Sequence, residues 1–208
     1  MRILFRVPGF IRELERLIAF KPEVLITGHD EPIVGAERIA NDMTKLLGAV
    51  RHIHDETVKG MNAQQDLWTL MREITLPAHL TMAPGRGPAS WYVRAVYEEY
   101  AGWFRQESTT ELYGVPPSAI WPELAAMAGG PEALAGQAQR RVAAGEPVQA
   151  LHFVEIALAA DPANPAARRA EIAALELLVD RTQGRDFDEL GWLETRLAKA
   201  RAAVAASS

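Results

Sequence analysis

The feature that most constrains the fold is a run of alanine-rich helical sequence that fills the chain from Pro131 onward. Alanine has the highest helix propensity, and Gly or Pro between the segments is typical of helix ends. This region therefore predicts four successive helices, within the stretches PEALAGQAQRRVAAGEP, VQALHFVEIALAADPANP, AARRAEIAALELLVDRTQG and DFDELGWLETRLAKARAAVAA.

Part of this region, residues 143–175, resembles one tetratricopeptide-type unit. It has small residues where two helices would cross, followed by an Asp-Pro-x-Asn-Pro break. Solenoids need about three or more such units, and the sequence offers one. We therefore predict a tetratricopeptide-like hairpin that serves packing or subunit contact.

The N-terminal half also reads as mostly helical. Apolar residues recur at helical spacing in PGFIRELERLIAFKP, where Pro22 ends the first helix, and from about Ala36 to Met61. Shorter helices are predicted within DLWTLMREI and within the aromatic stretch ASWYVRAVYEEYAGWF.

The sequence predicts a single β-strand among these helices. The apolar run EVLITG, closed by a glycine, predicts a short buried strand, and HDEPIVG predicts a tight polar loop after it. A lone strand leaves its backbone groups without partners, so we expect this strand to pair with strands that this chain does not obviously supply.

Charge and composition exclude several classes of function. A net charge of −5 argues against a protein that binds nucleic acid or anionic lipid, and the lack of cysteine excludes disulfides and thiolate metal sites. There is no signal-peptide pattern and no apolar run of the roughly 20 residues that span a bilayer. We expect a cytoplasmic protein by default. A periplasmic or secreted location stays open if Met1 is not the true start.

Two histidines in RHIHDETVKG resemble part of the HxHxDH metal-ligand run of metallo-β-lactamase hydrolases. They lie within the long predicted helix, where residues two positions apart point about 200° apart. His52 and His54 therefore cannot reach one ion. We predict that this pair is not a metal site, although His52 is one turn from Asp55 and in reach of a local hydrogen bond.

His29 is the better candidate for a metal ligand. It follows the predicted strand in VLITGHDEPIVG, between Gly28, which permits a sharp turn, and Pro32, which fixes the exit of the loop. A neutral imidazole at the carboxyl end of a strand suits zinc. The alternative is a histidine whose ring is hydrogen-bonded to loop carbonyls.

Four stretches, taken in order, resemble the alkylsulfatase branch of the metallo-β-lactamase superfamily: PEVLITGHDEPIVGAERI, HDETVKGMN, GRGPASWYVRAVYEEYAGWF and STTELYG. The resemblance implies a mostly α chain, with the end of an αβ/βα metallo-β-lactamase-like sandwich (one or two strands) before an α-helical dimerisation domain. It places the C-terminal remnant of the catalytic domain, with its exit helix, at residues 1–62. The dimerisation domain, with the tetratricopeptide-like hairpin, covers residues 63–208.

The same resemblance implies zinc chemistry on alkyl sulfate esters. Members hold two zinc ions with HxHxDH, two acidic residues and one late histidine, and only the late histidine maps here, onto His29. The HxHxDH run is absent from the chain, so the resemblance implies a C-terminal portion that acts with a separate chain or segment carrying HxHxDH, as a homodimer. The other interpretation is a non-catalytic helical dimerisation or protein-interaction module, and alone the chain is expected to be inactive.

Substrate contacts are predicted around the aromatic helix. Arg86 and Arg94 suit a sulfate anion, and Tyr92 suits an alkyl chain. The simpler interpretation is an interface or core helix with solvated arginines. The sequence identifies no catalytic residue.

Overall fold

In a computed structural model that describes residues 6–29, 31–82 and 87–206, the chain forms two compact units, residues 1–105 and 106–208. The prediction of a mostly α protein is confirmed, since the described part contains long helices and one pair of very short strands. None of the described helices combines the length and the apolar character that crossing a bilayer requires.

Within residues 6–29, 31–82 and 87–105, the first unit contains four helices and a β-hairpin. Their bounds are α1 Val7–Phe20, β1 Val24–Leu25, β2 Ile33–Val34, α2 Ala36–Asn62, α3 Leu67–Glu73 and α4 Ala89–Ala101, with a 3-10 turn at Ala78–Leu80. The four predicted helices of this half are therefore confirmed.

The core of the first unit follows the apolar side of α2. Buried residues recur along it mostly at intervals of three or four positions: Ile39, Met43, Leu47, Ala49, Ile53, Thr57 and Gly60. The N-terminal part of this side packs against Leu14 of α1. Further along, the same side meets residues of α3 and α4 in a second cluster: Val7, Ile53, Leu67, Leu70, Val93, Val96 and Tyr97.

The predicted strand forms, but two expectations about it are wrong. Its partner comes from the segment expected to be a polar loop, because β2 pairs with β1 in antiparallel register, Leu25 opposite Ile33 and Val24 opposite Val34. The strand is also not buried. Leu25 and Ile33 pack toward α2, whereas Val24 and Val34 point outward and are exposed.

The second unit is a stack of five helices. They are α5 Trp121–Met127, α6 Pro131–Ala143, α7 Pro147–Ala160, α8 Pro165–Thr182 and α9 Phe187–Ala206, preceded by 3-10 turns at Thr109–Leu112 and Pro117–Ile120. Proline begins α6, α7 and α8, a position that needs no backbone N–H. The four predicted C-terminal helices are confirmed, and α5 is an element that the sequence did not predict.

Alanine explains how closely these helices pack. Fully or almost fully buried alanines line the contacts between them: Ala125, Ala135, Ala138, Ala150, Ala157, Ala167, Ala170 and Ala174. A methyl side chain keeps helix axes near and costs little side-chain entropy on burial.

The break between α7 and α8 is fixed by a buried amide. The Asn164 side chain caps α8 by accepting a hydrogen bond from the Ala167 N–H at 2.9 Å, and its amide donates to Glu132 of α6 at 2.7 Å. One residue of the Asp-Pro-x-Asn-Pro break thus links three helices.

The predicted division at residues 62 and 63 follows the family resemblance rather than packing. The two compact units divide at 105 and 106 instead, because α3 and α4 share a core with α1 and α2. The boundary between the catalytic remnant and the dimerisation domain stays a prediction.

Candidate functional site

His29 lies in the turn that connects the two strands of the hairpin. It comes four residues after Leu25, the last residue of β1, and is exposed. The hydroxyl of Thr27 donates a hydrogen bond to the backbone carbonyl of His29, which stabilises the turn. The position after β1 agrees with the prediction, but the surrounding sheet has two strands, and the imidazole projects from an exposed loop.

A complete zinc site is not found in the described residues. A catalytic zinc takes about three protein ligands and keeps one position open. Within residues 6–29, 31–82 and 87–206, no three side chains of His, Cys, Asp or Glu come together in a group able to hold a metal ion. The role of His29 as a metal ligand therefore stays a prediction, and it requires further ligands from outside this part of the chain.

The two helical histidines contact different neighbours. His52 Nε2 lies 3.0 Å from the backbone carbonyl of Thr75, whereas His54 contacts Tyr100 of α4, with 2.8 Å between Nε2 and the phenol oxygen. The other ring nitrogen of His54 lies 2.8 Å from the carboxylate of Asp55. Asp55 therefore pairs with His54. The helical spacing had suggested His52 as its partner.

A polar cleft of about 550 Å³ opens beside His52 and was not predicted from the sequence. Glu56, Lys59 and Glu73 line it, and Lys59 Nζ forms an ion pair with Glu56 at 3.0 Å. Because the Lys59 ammonium group neutralises the Glu56 carboxylate, the carboxylate of Glu73 is left and gives the cleft a net negative charge. Its walls come from both α2 and the end of α3, so its presence depends on tertiary packing.

Of the three predicted substrate residues, the two that the structure describes do not share a surface. Arg86 lies outside the described residues. Tyr92 is half-buried and lines a small internal cavity with Val7 and Val96, whereas Arg94 is exposed on α4. The Arg94 guanidinium stacks 5.8 Å from the Trp68 ring centroid and forms an ion pair with Glu98. A substrate role for these residues stays a prediction.

Exposed apolar side chains are the feature of functional interest that sequence patterns missed. One group lies on the outer side of the hairpin near His29 and consists of Val24, Ile26 and Val34, of which Ile26 is 77% exposed. A second group lies on the outer side of α5 and on the loop before it. Large exposed apolar groups on a folded protein mark surfaces that bind other protein segments.

Two solved structures share the fold of this chain. The chain matches a double variant of the sec-alkyl sulfatase PisA1 with a TM-score of 0.76 and 24% identity, covering 94% of this chain and 31% of that chain. The stereoselective inverting sec-alkylsulfatase Pisa1 from Pseudomonas sp. matches with a TM-score of 0.75 and 23% identity, covering 92% and 31%. The fold is thus one found within alkylsulfatases.

Sequence comparisons give the family. The model of the family described as alkyl sulfatase dimerisation matches residues 68–187, which is more than half of the chain. The chain belongs to the alkyl sulfatase dimerisation family, and the resemblance predicted from its motifs is confirmed.

Curated relatives agree, over part of their length. A linear primary-alkylsulfatase of Pseudomonas sp. is 31% identical over 132 residues, which are 61% of this chain and 25% of that protein. The alkyl/aryl-sulfatase BDS1 of Saccharomyces cerevisiae is 29% identical over 162 residues, 76% of this chain and 25% of that protein. The chain thus spans about a quarter of the length of the curated relatives that it matches.

Proposed function

We propose that this chain is the C-terminal portion of a zinc-dependent, alkylsulfatase-like hydrolase. It contributes one metal-ligand histidine, His29, and the helices through which two copies pair. The observation that carries the proposal is the position of His29, exposed in the turn after β1, in a chain whose family takes its description from alkyl sulfatases. Zinc, when bound, supplies an acidified water for attack on the sulfate ester.

The hairpin supports the metallo-β-lactamase part of this proposal. Two strands of two residues each are marginal alone, and both outer edges lack a strand partner among the described residues. The outward side chains of Val24, Ile26 and Val34 are apolar and exposed. Strands of a catalytic segment that carries HxHxDH would cover these side chains and bring the remaining zinc ligands to His29.

The helical part of the proposal is a homodimer. The family description supports pairing of two copies, and the second unit offers a rigid, closely packed helix stack for it. The α7–α8 pair, with its capped break at Asn164, is the element we assign to the tetratricopeptide-like hairpin. One such hairpin suits packing rather than an extended binding surface.

The zinc content of the complete assembly tests the proposal. The chain is co-produced with an HxHxDH-bearing catalytic segment, encoded upstream of Met1 or by a neighbouring gene. Zinc is then measured by elemental mass spectrometry, and hydrolysis of dodecyl sulfate is followed. We expect the His29→Ala variant to lose bound zinc and activity, because one imidazole of the ligand set is gone.

The matched control is His152→Ala, which removes an exposed imidazole on α7. This variant should keep the zinc and the activity of the unmodified assembly. Equal zinc affinity with and without the imidazole of His29 would show that the ligand assignment is wrong.

The second candidate function is a non-catalytic helical dimerisation module. It is favoured by the lack of any three-residue metal cluster within the described ranges. It predicts that the chain forms a dimer, binds no zinc in calorimetric titration and does not hydrolyse alkyl sulfates, alone or beside its genomic neighbours. Zinc-dependent turnover by an assembly that contains this chain would refute it.

A further inference from the structure

We propose that two copies of the chain pair through an apolar stripe along α5, formed by Leu124 and Met127 of the helix and by Ile120, the residue immediately before it. The inference rests on the proposed homodimer and assigns its contact surface. We refer to these three residues as the α5 stripe.

Helical spacing places the three side chains on one side of α5. They follow each other at intervals of four and three residues, so they lie within about 60° of one another around the axis. Their exposed fractions are 51%, 40% and 85% for Ile120, Leu124 and Met127. The stripe therefore faces away from the core of its own unit.

The opposite side of α5 already has its partners. Ala125 is completely buried and packs in a cluster with Ala135 and Ala157. Burial of this side fixes α5 on the helix stack and leaves the stripe as its free surface. An ordinary surface helix is polar on the side that faces water, whereas this side of α5 carries Leu124 and Met127 beside one charged residue, Glu123.

The loop before α5 extends the apolar surface. Leu112, Tyr113 and Val115 are exposed, and Tyr113 and Val115 line a shallow cleft of about 360 Å³ with Pro116 and Pro117. The prolines restrict the backbone, so little conformational entropy is lost when this segment is covered. From residue 112 to residue 127, Glu123 is the one charged residue in the sequence.

A second copy of the chain is the occupant that fits this surface. The stripe and its loop lie within residues 68–187, the range that matches the dimerisation family. In a two-fold dimer the same patch meets itself, which the three apolar side chains of the stripe permit. Glu123, three residues after Ile120 and four before Met127, lies beside them and belongs to the rim of such an interface. A stable interface covers about 800 Å² on each partner, so the six exposed apolar side chains of residues 112–127 would form its centre.

Two of the other exposed apolar groups fit this role less well. Trp68 already stacks with the guanidinium of Arg94, which satisfies one face of its ring. The outer side of the hairpin lies next to His29, where the proposed function places strands of the catalytic segment. The α5 stripe is in a different unit from both.

Sedimentation velocity over a range of concentrations tests the assignment. The Ile120→Glu and Met127→Glu double variant brings four carboxylates together across the two-fold axis. We expect its dimer dissociation constant to rise at least tenfold, with unchanged helix content by circular dichroism. The control is Val148→Glu, in the first turn of α7, where the apolar side chain is 51% exposed and an acidic residue suits the helix N-terminus.

The possible results distinguish a wrong contact surface from a wrong homodimer proposal. A dimer of unchanged affinity in the double variant overturns the assignment to the α5 stripe and leaves the proposed homodimer intact. Unmodified chain that stays monomeric at all concentrations refutes the homodimer. If the double variant keeps its dimer but no longer binds the HxHxDH-bearing segment, the occupant is that segment, and the inference is wrong.

Cross-linking gives a second test that does not depend on destabilising the fold. The chain contains no cysteine, so Met127→Cys introduces a single thiol into the stripe, and Val148→Cys introduces one outside it. Under mild oxidation we expect a disulfide-linked dimer from Met127→Cys at a rate at least tenfold above that of Val148→Cys. Equal rates for the two variants would contradict the inference.

Discussion

Replacement of Glu171 by alanine should strongly destabilise the second unit. The Glu171 side chain is 4% exposed and lies between two arginines, with Arg168 Nη1 at 2.8 Å and Arg196 Nη2 at 3.1 Å. Arg168 belongs to the same helix, α8, whereas Arg196 belongs to α9. The single carboxylate therefore pairs with two cations and links the last two helices.

The expected loss of unfolding free energy depends on which hydrogen bonds the two arginines retain in the Glu171→Ala variant. Without the carboxylate, Arg168 retains one hydrogen bond, from Nη2 to the backbone carbonyl of Pro162, and its buried Nε has no partner among the described residues. Breaking a buried ion pair from one side costs about 3–5 kcal/mol. Arg196 is about half-exposed and regains water, so we expect Glu171→Ala to cost about 2–4 kcal/mol.

An exposed pair between the same two helices provides the control. Glu176 and Arg201 are also 25 residues apart and form an ion pair of 2.7 Å, but both side chains are about half-exposed. An exposed pair contributes about 0–1 kcal/mol, so Glu176→Ala should lower stability by no more than that.

Urea denaturation followed by circular dichroism measures the difference at one protein concentration, since dimerisation itself adds stability. With an m-value of about 2 kcal/mol/M, Glu171→Ala should lower the urea midpoint by about 1–2 M. Hydrogen exchange should show the lost protection in α8 and α9. Equal midpoints for Glu171→Ala and Glu176→Ala would refute the reasoning that burial decides the value of this ion pair.

Two further predictions concern the first unit. Gly60 is buried, and an added Cβ would overlap the Leu70 side chain and lie 2.8 Å from Gln65 Oε1, so Gly60→Ala should cost about 1–3 kcal/mol in urea denaturation. Hydrogen bonds from the Thr69 hydroxyl and N–H lower the pKa of Asp66 at the start of α3. Its contribution to stability is therefore present above the unfolded-state pKa of about 3.9 and is lost as pH falls through the lower folded-state value. Asp66→Asn keeps a capping side chain, and its stability should show less pH dependence in that window; identical acid profiles would contradict the assignment.

Helices with a long apolar period were predictable from the sequence. The expected helix from about Ala36 to Met61 is observed as Ala36–Asn62, because one side of it is apolar along its whole length. The short helix α5 was not predicted, since seven residues with two prolines nearby give too few turns for a period to show. Its position depends on Ala125, which packs between other helices.

The β-hairpin shows why local pattern fails for very short strands. An apolar run such as Val24–Leu25 reads equally well as a buried strand and as an exposed one, because two residues do not reveal an alternation. The partner strand Ile33–Val34 was hidden by the polar residues that precede it. The register of the two strands and the exposure of their side chains depend on how the hairpin packs against α2. The sequence of the hairpin alone does not carry that information.

The histidines likewise show that local sequence predicts side-chain direction, whereas contact partners depend on tertiary packing. Helical geometry alone predicts that His52 and His54 point in different directions, and the structure gives them separate partners, Thr75 and Tyr100. Neither partner was predictable, because both lie more than twenty positions along the chain and are brought near by α3 and α4. For His29 the turn after β1 is local and was anticipated, whereas any further zinc ligands are a tertiary property. The proposal therefore depends on the complete assembly, and the zinc content of the His29→Ala assembly is the measurement that decides it.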